Sequence, residues 1–177
     1  MEQQMTKQEL EQCIHEYGKD IYSFCKHLTC NQQEADDLYQ DTFLKAMELQ
    51  QKIDRGENPK SYLLSIAVRI WKNRKRKYAW RNRIAPTEAL IEERDESVIA
   101  GAEASPEETF IADEKAGIVR RVVEKLPKKL KVCVLLFYME ELSVTQIASV
   151  LKVPEGTVKS RLYQARKRLE KELENVL

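Results

Sequence analysis

ELSVTQIASVLKVPEGTVKSRLYQARKRLEKEL, residues 141–173, reads as two amphipathic helical segments on either side of a short turn. Ser143 and Gln146 have the spacing of a capping box, in which each side chain meets the other's backbone N–H. Ile147, Ala148, Val150 and Leu151 follow as an apolar run, and Lys152–Val153–Pro154 supplies the turn. In the second segment Val158, Leu162, Ala165 and Leu169 recur at helical spacing and are expected to face inward. At about 100° per residue, Ser160, Tyr163, Gln164 and Lys167 then project from the opposite side, flanked by Lys159 and Arg161. Hydroxyl, amide and cationic groups are the types that read base edges in a major groove. Gly156 and Thr157 fall in the first turn, where backbone N–H groups can meet a phosphate. The pattern is that of a helix-turn-helix. The competing reading is a solvated, Lys- and Arg-rich helix face.

Upstream, a helical unit is expected from about Thr109, with Ile111, Ile118, Val119, Val122, Val123 and Leu126 at helical spacing. Pro127 is suited to start another helix carrying Leu130, Val134, Leu135, Phe137 and Tyr138. Residues 84–108 differ in character: they are acidic, rich in Ala and Ser, sparse in apolar residues and contain Pro86 and Pro106, which predicts a linker. Before them, three amphipathic helices are expected. The first starts at a capping box of Thr6 and Glu9 and carries Leu10, Ile14, Tyr17, Ile21, Phe24 and Leu28. The second follows an Asn31 cap with Ala35, Leu38, Thr42, Ala46, Leu49 and Ile53. The third starts at Asn58–Pro59 with Tyr62, Leu63, Ile66, Ala67 and Ile70. The expected architecture is therefore all-α: a helical domain over residues 1–83, a linker over 84–108 and a helix-turn-helix domain over 109–177.

The 177 residues carry a net charge of +1 that conceals segregation. Nine basic residues and no acid lie between Lys60 and Arg83, while ten acids and one Arg lie between Glu88 and Glu114. Such blocks suggest basic patches joined by an acidic segment. No apolar run approaches the ~20 residues of a membrane span. The start, MEQQMTKQEL, lacks a basic-then-apolar leader pattern, so a cytoplasmic location is expected. Cys13, Cys25, Cys30 and Cys133 include no CxxC pair, and Cys25, His27 and Cys30 match no common zinc spacing, so neither metal nor cofactor is expected. The chain has no glycine-rich phosphate loop, nucleophile elbow or zinc-hydrolase motif, which argues against an enzyme.

The segment EGTVKSRLYQARKRL, Glu155 to Leu169, with its lead-in LPKKLKVCVLLFYMEELS, resembles the fourth conserved region of bacterial extracytoplasmic-function sigma factors. That resemblance implies binding of the promoter −35 element and docking of the polymerase beta flap. It marks Thr157, Lys159, Ser160, Arg161, Tyr163, Gln164 and Lys167 as DNA-contact candidates, with Arg161 and Arg166 alternatively holding phosphates or making pairs within the domain.

EADDLYQDTFLKAM, Glu34 to Met47, places Asp36, Asp37, Gln40 and Asp41 on one polar side. By itself this is a solvated or partner-binding face, since helical carboxylates without a suitable loop are weak evidence for a metal. It resembles the second conserved region of the same family, whose helix docks on the beta-prime clamp helices of core RNA polymerase. Asp37, Leu38, Gln40, Asp41 and Phe43 are the implied polymerase contacts, with Leu38 also read as a core residue.

YLLSIAVRIWKNRKRKYAWR, Tyr62 to Arg81, interleaves cations with Trp71, Tyr78 and Trp80. That combination suits single-stranded DNA, through base stacking and phosphate attraction; the alternative for Trp71 is packing inside the domain. By the family resemblance this helix and the loop before it recognise and open the −10 element. The implied contacts are Asp54, Arg55, Gly56, Glu57, Asn58, Arg69, Lys72, Asn73 and Arg76. Extruding a base costs a few kcal/mol, so a fitted pocket is needed to trap it. Asn73 follows the family pattern, whereas Arg69 stands where Asn is common and Tyr62 where Trp is frequent. The acidic linker, with Glu92, Glu93, Asp95 and Glu96, is expected to thread toward the polymerase cleft. The resemblance also implies promoter DNA and an anti-sigma factor as partners. The readings set against it are a stand-alone helix-turn-helix regulator and a sigma-like protein that no longer opens promoters.

Overall fold

A computed structural model of the chain describes residues 5–50, 58–84 and 111–176. Seven α-helices, and no strand, occur among the described residues.

The first half holds α1 (Lys7–Thr29), α2 (Gln32–Glu48) and α3 (Pro59–Ile84). α1 begins at the expected capping box: Glu9 N–H donates to Thr6 Oγ1, and Thr6 N–H donates to the Glu9 carboxylate. It ends where Cys30 adopts a left-handed conformation with φ 54°, and Asn31 then caps α2 by accepting from Glu34 N–H. Asn58 Oδ1 accepts from Lys60 N–H, with Pro59 at the first position of α3. All three helices pack on one another. Ile21, Phe24, Leu28, Leu38, Leu63, Leu64 and Val68 are fully enclosed, as the apolar periodicity requires. α1 and α2 approach closely at Gly18, where a Cβ would lie 3.0 Å from the Tyr39 hydroxyl. Beside that contact Tyr22, Tyr39 and Phe43 stack edge to face, and Tyr22 O–H donates to Asp36 at 2.5 Å.

The second half holds α4 (Ile111–Glu124), α5 (Lys128–Val134), α6 (Val144–Leu151) and α7 (Glu155–Val176). α5 runs into a π-helical turn, Leu135–Met139, closed by Glu140 N–H donating to Leu135 O. The Ser143–Gln146 capping box opens α6. Lys152, left-handed at φ 54°, ends it while its N–H still bonds to Ala148 and Ser149 carbonyls. That single left-handed residue reverses the chain tightly enough for α7 to pack across α6. Val158, Leu162 and Ala165 are buried, as the helical spacing predicts.

The halves do not stand apart. α3 packs on α6, and α1 packs on the π-turn. Leu135, Leu136, Ile147 and Leu162 belong to the same continuous core as Phe24, Leu64 and Trp71. The expected linker, beyond Ile84, lies outside the described residues together with the start of the unit expected from Thr109.

Candidate nucleic-acid interface

α7 presents the face expected to meet DNA. Lys159, Ser160, Tyr163, Gln164 and Lys167 are exposed, while Thr157 and Arg161 are half-buried. Gln164 Nε2 donates to Ser160 Oγ at 3.3 Å, and Lys167 Nζ sits 4.8 Å from the centre of the Tyr163 ring. These contacts run along one helix and leave the groups open to an incoming groove. The start of α7 is braced from α6, where Thr145 O–H donates to the Glu155 carboxylate at 2.9 Å.

Arg166 turns away from that face. Its Nε donates to the Tyr138 hydroxyl at 2.7 Å, and its guanidinium lies over the Phe137 and Tyr138 rings. Of the two roles open to Arg166, the structure displays the intradomain pair. The π-turn makes that possible by directing Phe137 and Tyr138 toward α7.

α3 presents a second cationic surface. Arg69, Asn73 and Arg76 are exposed, and Lys72 is half-buried. Burial, with Arg161, Arg76 and Lys129 nearby, holds the Lys72 ammonium below its usual pKa. The −10 candidate Lys72 and the −35 candidate Arg161 are thus electrostatic neighbours, which the sequence spacing did not signal. Trp71 is buried, which leaves Tyr78 and Trp80 as the exposed aromatic side chains of α3. Asn58 caps α3 beside a cavity of about 250 Å³ that α6 closes from the other side. Asp54, Arg55, Gly56 and Glu57 lie outside the described residues.

On α2, Asp37 and Gln40 are exposed and Asp41 is half-buried, paired with Arg74 of α3. Leu38 and Phe43 are core residues, Leu38 fully enclosed and Phe43 stacked on Tyr39. A partner that leaves this fold intact meets the carboxylates and Gln40, whereas Leu38 and Phe43 hold the helix that carries them. Leu44 and Met47 extend the exposed surface and were not singled out by the sequence pattern.

Cys25 is enclosed in the core, and burial pushes its thiol up to about 12. His27 Nδ1 lies 2.7 Å from the Ser23 carbonyl. Among the described residues no three His, Cys, Asp or Glu side chains gather as metal ligands, and no helix is long and apolar enough to cross a membrane.

Two family descriptions match the chain: Sigma-70 region 2 over residues 13–81, and Sigma-70, region 4, over residues 116–169. The chain is 30% identical to the ECF RNA polymerase sigma factor SigW of Bacillus subtilis, covering 90% of this chain and 86% of SigW. It is 30% identical to the ECF RNA polymerase sigma-E factor of Escherichia coli, covering 81% and 76%. Among solved structures it is similar in fold to the sigma factor RpoE of Bartonella quintana, solved with the anti-sigma factor NepR. There the TM-score is 0.72 at 24% identity, covering 94% and 98% of the two chains. It is also similar to CnrH, solved with the cytosolic domain of CnrY, with a TM-score of 0.65 at 18% identity, covering 96% and 90%.

Proposed function

This chain belongs to the extracytoplasmic-function sigma factors of the sigma-70 family, and from that premise we propose how its surfaces divide the work of initiation. It is an alternative sigma factor. Asp37, Gln40 and Asp41 of α2 anchor it to the beta-prime clamp helices of core RNA polymerase. The exposed face of α7 reads the −35 element in the major groove, with Ser160, Tyr163 and Gln164 toward bases and Lys159, Arg161 and Lys167 toward phosphates. α3 and the loop before it take the −10 element. There Lys72 and Arg76 neutralise the backbone, Asn73 and Tyr78 meet unpaired bases, and Asp54 to Asn58 form part of the pocket for an extruded base. The beta flap docks on the second half, and the acidic linker sets the reach between elements.

No covalent step is assigned to this chain, because the polymerase supplies the chemistry. The location is cytoplasmic, with the polymerase, and an anti-sigma factor is the proposed regulator. The observation that carries this reading is the combination in one chain of an acidic helix face, an aromatic-cationic helix and an open recognition face. Arg69, exposed where the family commonly has Asn, supports a second reading in which the chain binds polymerase without opening promoters.

In vitro transcription with bacterial core polymerase on sheared DNA of the source genome tests both. New transcripts with defined start sites are expected. Binding to polymerase without start sites favours the second reading, and absence of binding favours a stand-alone helix-turn-helix regulator.

A further inference from the structure

Lys131 is buried without a carboxylate. It lies in α5 between the buried Leu130 and Val132 and is itself only 8% exposed. An ammonium withdrawn from water normally keeps a carboxylate beside it, because dehydration is costly when nothing replaces the lost hydration. Lys60 follows that rule and meets Glu140 at 2.9 Å and Asp20 at 3.5 Å. Lys131 makes no ion pair among the described residues. Its Nζ instead donates to Cys30 Sγ, 3.6 Å away at the end of α1.

The sulfur is held from both sides. Cys30 ends α1 in left-handed backbone, φ 54°, a conformation that favours glycine or asparagine. There its S–H donates to the His27 carbonyl at 3.4 Å, while Sγ accepts from Lys131. Burial raises the thiol above its ordinary pKa; Lys131 opposes that shift, Glu124 of α4 adds to it and Lys75 of α3 opposes it. The resting group is therefore a thiol with an ammonium at its sulfur, and that ammonium is the counter-ion of any thiolate formed there. The other cysteines differ. Cys25 and Cys133 are fully enclosed, and Cys13 is half-buried where burial, Glu16 and Glu9 all disfavour its thiolate. Cys30 keeps part of its surface in solvent, so a small oxidant can reach it.

We propose that Cys30 and Lys131 form an oxidant-responsive modification site, in which hydrogen peroxide converts their contact into a covalent sulfur–nitrogen bridge between α1 and α5. The site does not depend on the sigma-factor reading. In the first step the Cys30 thiolate attacks peroxide. The S–O bond forms, the O–O bond breaks, and the departing hydroxide takes up a proton and leaves as water. The sulfur is oxidised by two electrons to a sulfenic acid, and the peroxide is reduced. In the second step Lys131 gives one ammonium proton to solvent, and the free amine attacks the oxidised sulfur. The N–S bond forms, the S–O bond breaks, and hydroxide leaves with a second amine proton as water. One thiol, one ammonium and one peroxide thus give one sulfenamide, two waters and one proton. The bridge removes a buried charge that had no carboxylate, which favours it over the sulfenic acid. Excess thiol reverses it by attacking the sulfur, freeing Lys131, and then reducing the mixed disulfide to restore Cys30.

The test treats the full chain with hydrogen peroxide, then digests it for peptide mass spectrometry. The expected product is a Cys30 peptide joined to a Lys131 peptide, lighter than their sum by two hydrogen atoms. It should resist trypsin at Lys131 and be released by dithiothreitol. Tying Cys30 to Lys131 also restricts the unfolded chain, so the urea midpoint should shift upward on oxidation and return on reduction. Lys131→Arg keeps the cation but supplies no free amine. In that variant Cys30 should stop at the sulfenic acid, trapped by dimedone, with no upward shift in midpoint. Cys30→Ser should give no joined peptide.

Unreacted Cys30 in oxidised wild type overturns the site. A stable sulfenic or sulfinic acid at Cys30 of wild type overturns the bridge, as does a joined species one oxygen atom heavier. A bridge that persists in Lys131→Arg assigns the nitrogen elsewhere and overturns the pairing. If circular dichroism shows that the variants fail to fold, the wild-type peptide map decides by itself.

Discussion

α7 and α3 both carry cationic faces, but they differ in what lies over them. α7 buries Val158, Leu162 and Ala165 and leaves Ser160, Tyr163 and Gln164 in solvent. α3 buries Leu63, Leu64, Ala67 and Val68, and then meets α6 near its start and Arg161 near its middle. One helix presents its polar side, whereas the other has part of its polar side covered. Amphipathicity identifies a single buried stripe. It gives no sign of a second covered face when that face is made of Lys, Asn, Ser and Tyr.

The contrast can be broken most forcefully in the shared core. Leu136→Ala, at a site with no exposed surface, is expected to destabilise the chain by about 2–5 kcal/mol, and Phe24→Ala by about 3–5 kcal/mol. Because both residues belong to one core, urea unfolding should remain a single transition for each variant. Hydrogen exchange should report Leu136→Ala as lost protection in α1 as well as in α5. Two separated transitions would show that the halves unfold independently.

DNA binding sharpens the contrast next. Gln164→Ala is expected to cost about 1–3 kcal/mol on a promoter containing both elements and to relax preference at one base position. Lys72→Ala should weaken binding about equally on all sequences and reduce the salt slope by about 1. Binding titrations at several salt concentrations, on matched and substituted promoters, separate these behaviours.

The caps give a smaller effect. Ser143→Ala removes the bond that starts α6 and should cost about 1 kcal/mol in urea denaturation, as should Thr6→Ala for α1.

The smallest effect is electrostatic. Glu140 is held above its ordinary value, chiefly by burial, with Lys60 opposing the shift and Asp20 adding to it. The folded chain therefore binds a proton more readily than the unfolded chain between the ordinary value of 4.5 and the raised one. Glu140 contributes a loss of stability as pH rises through that window and a gain as pH falls through it. Urea midpoints for wild type and Glu140→Gln across the window should differ by this slope, with the variant lacking it. Equal pH profiles would mean that Glu140 is solvated in the folded chain.

The local elements were legible because their signals lie within a few residues. Thr6 with Glu9, Asn31 with Glu34 and Ser143 with Gln146 announced three helix starts, and each bond is present. The inward set of α7 was legible for the same reason. Of the candidate polymerase contacts, Asp37 and Gln40 are exposed as a binding face requires, whereas Phe43 was harder to assign. An aromatic residue on an acidic helix suits a core or a partner equally, and only Tyr39 beside it decides. Trp71 posed the same choice, and its burial followed from the packing of the three helices.

The sequence by itself determined the helices, their caps, the polar face of α7 and, through motif resemblance, the family. These depend on hydrogen bonds and side-chain periodicities that span one or two turns. Only the tertiary structure decided that Lys60 meets Glu140, that Arg166 meets Tyr138 and that Lys72 stands near Arg161. Such pairs join residues far apart in the chain. Their polar groups accept water or one another at little difference in free energy, so neither composition nor spacing selects the partner. The shape of the docked surfaces does.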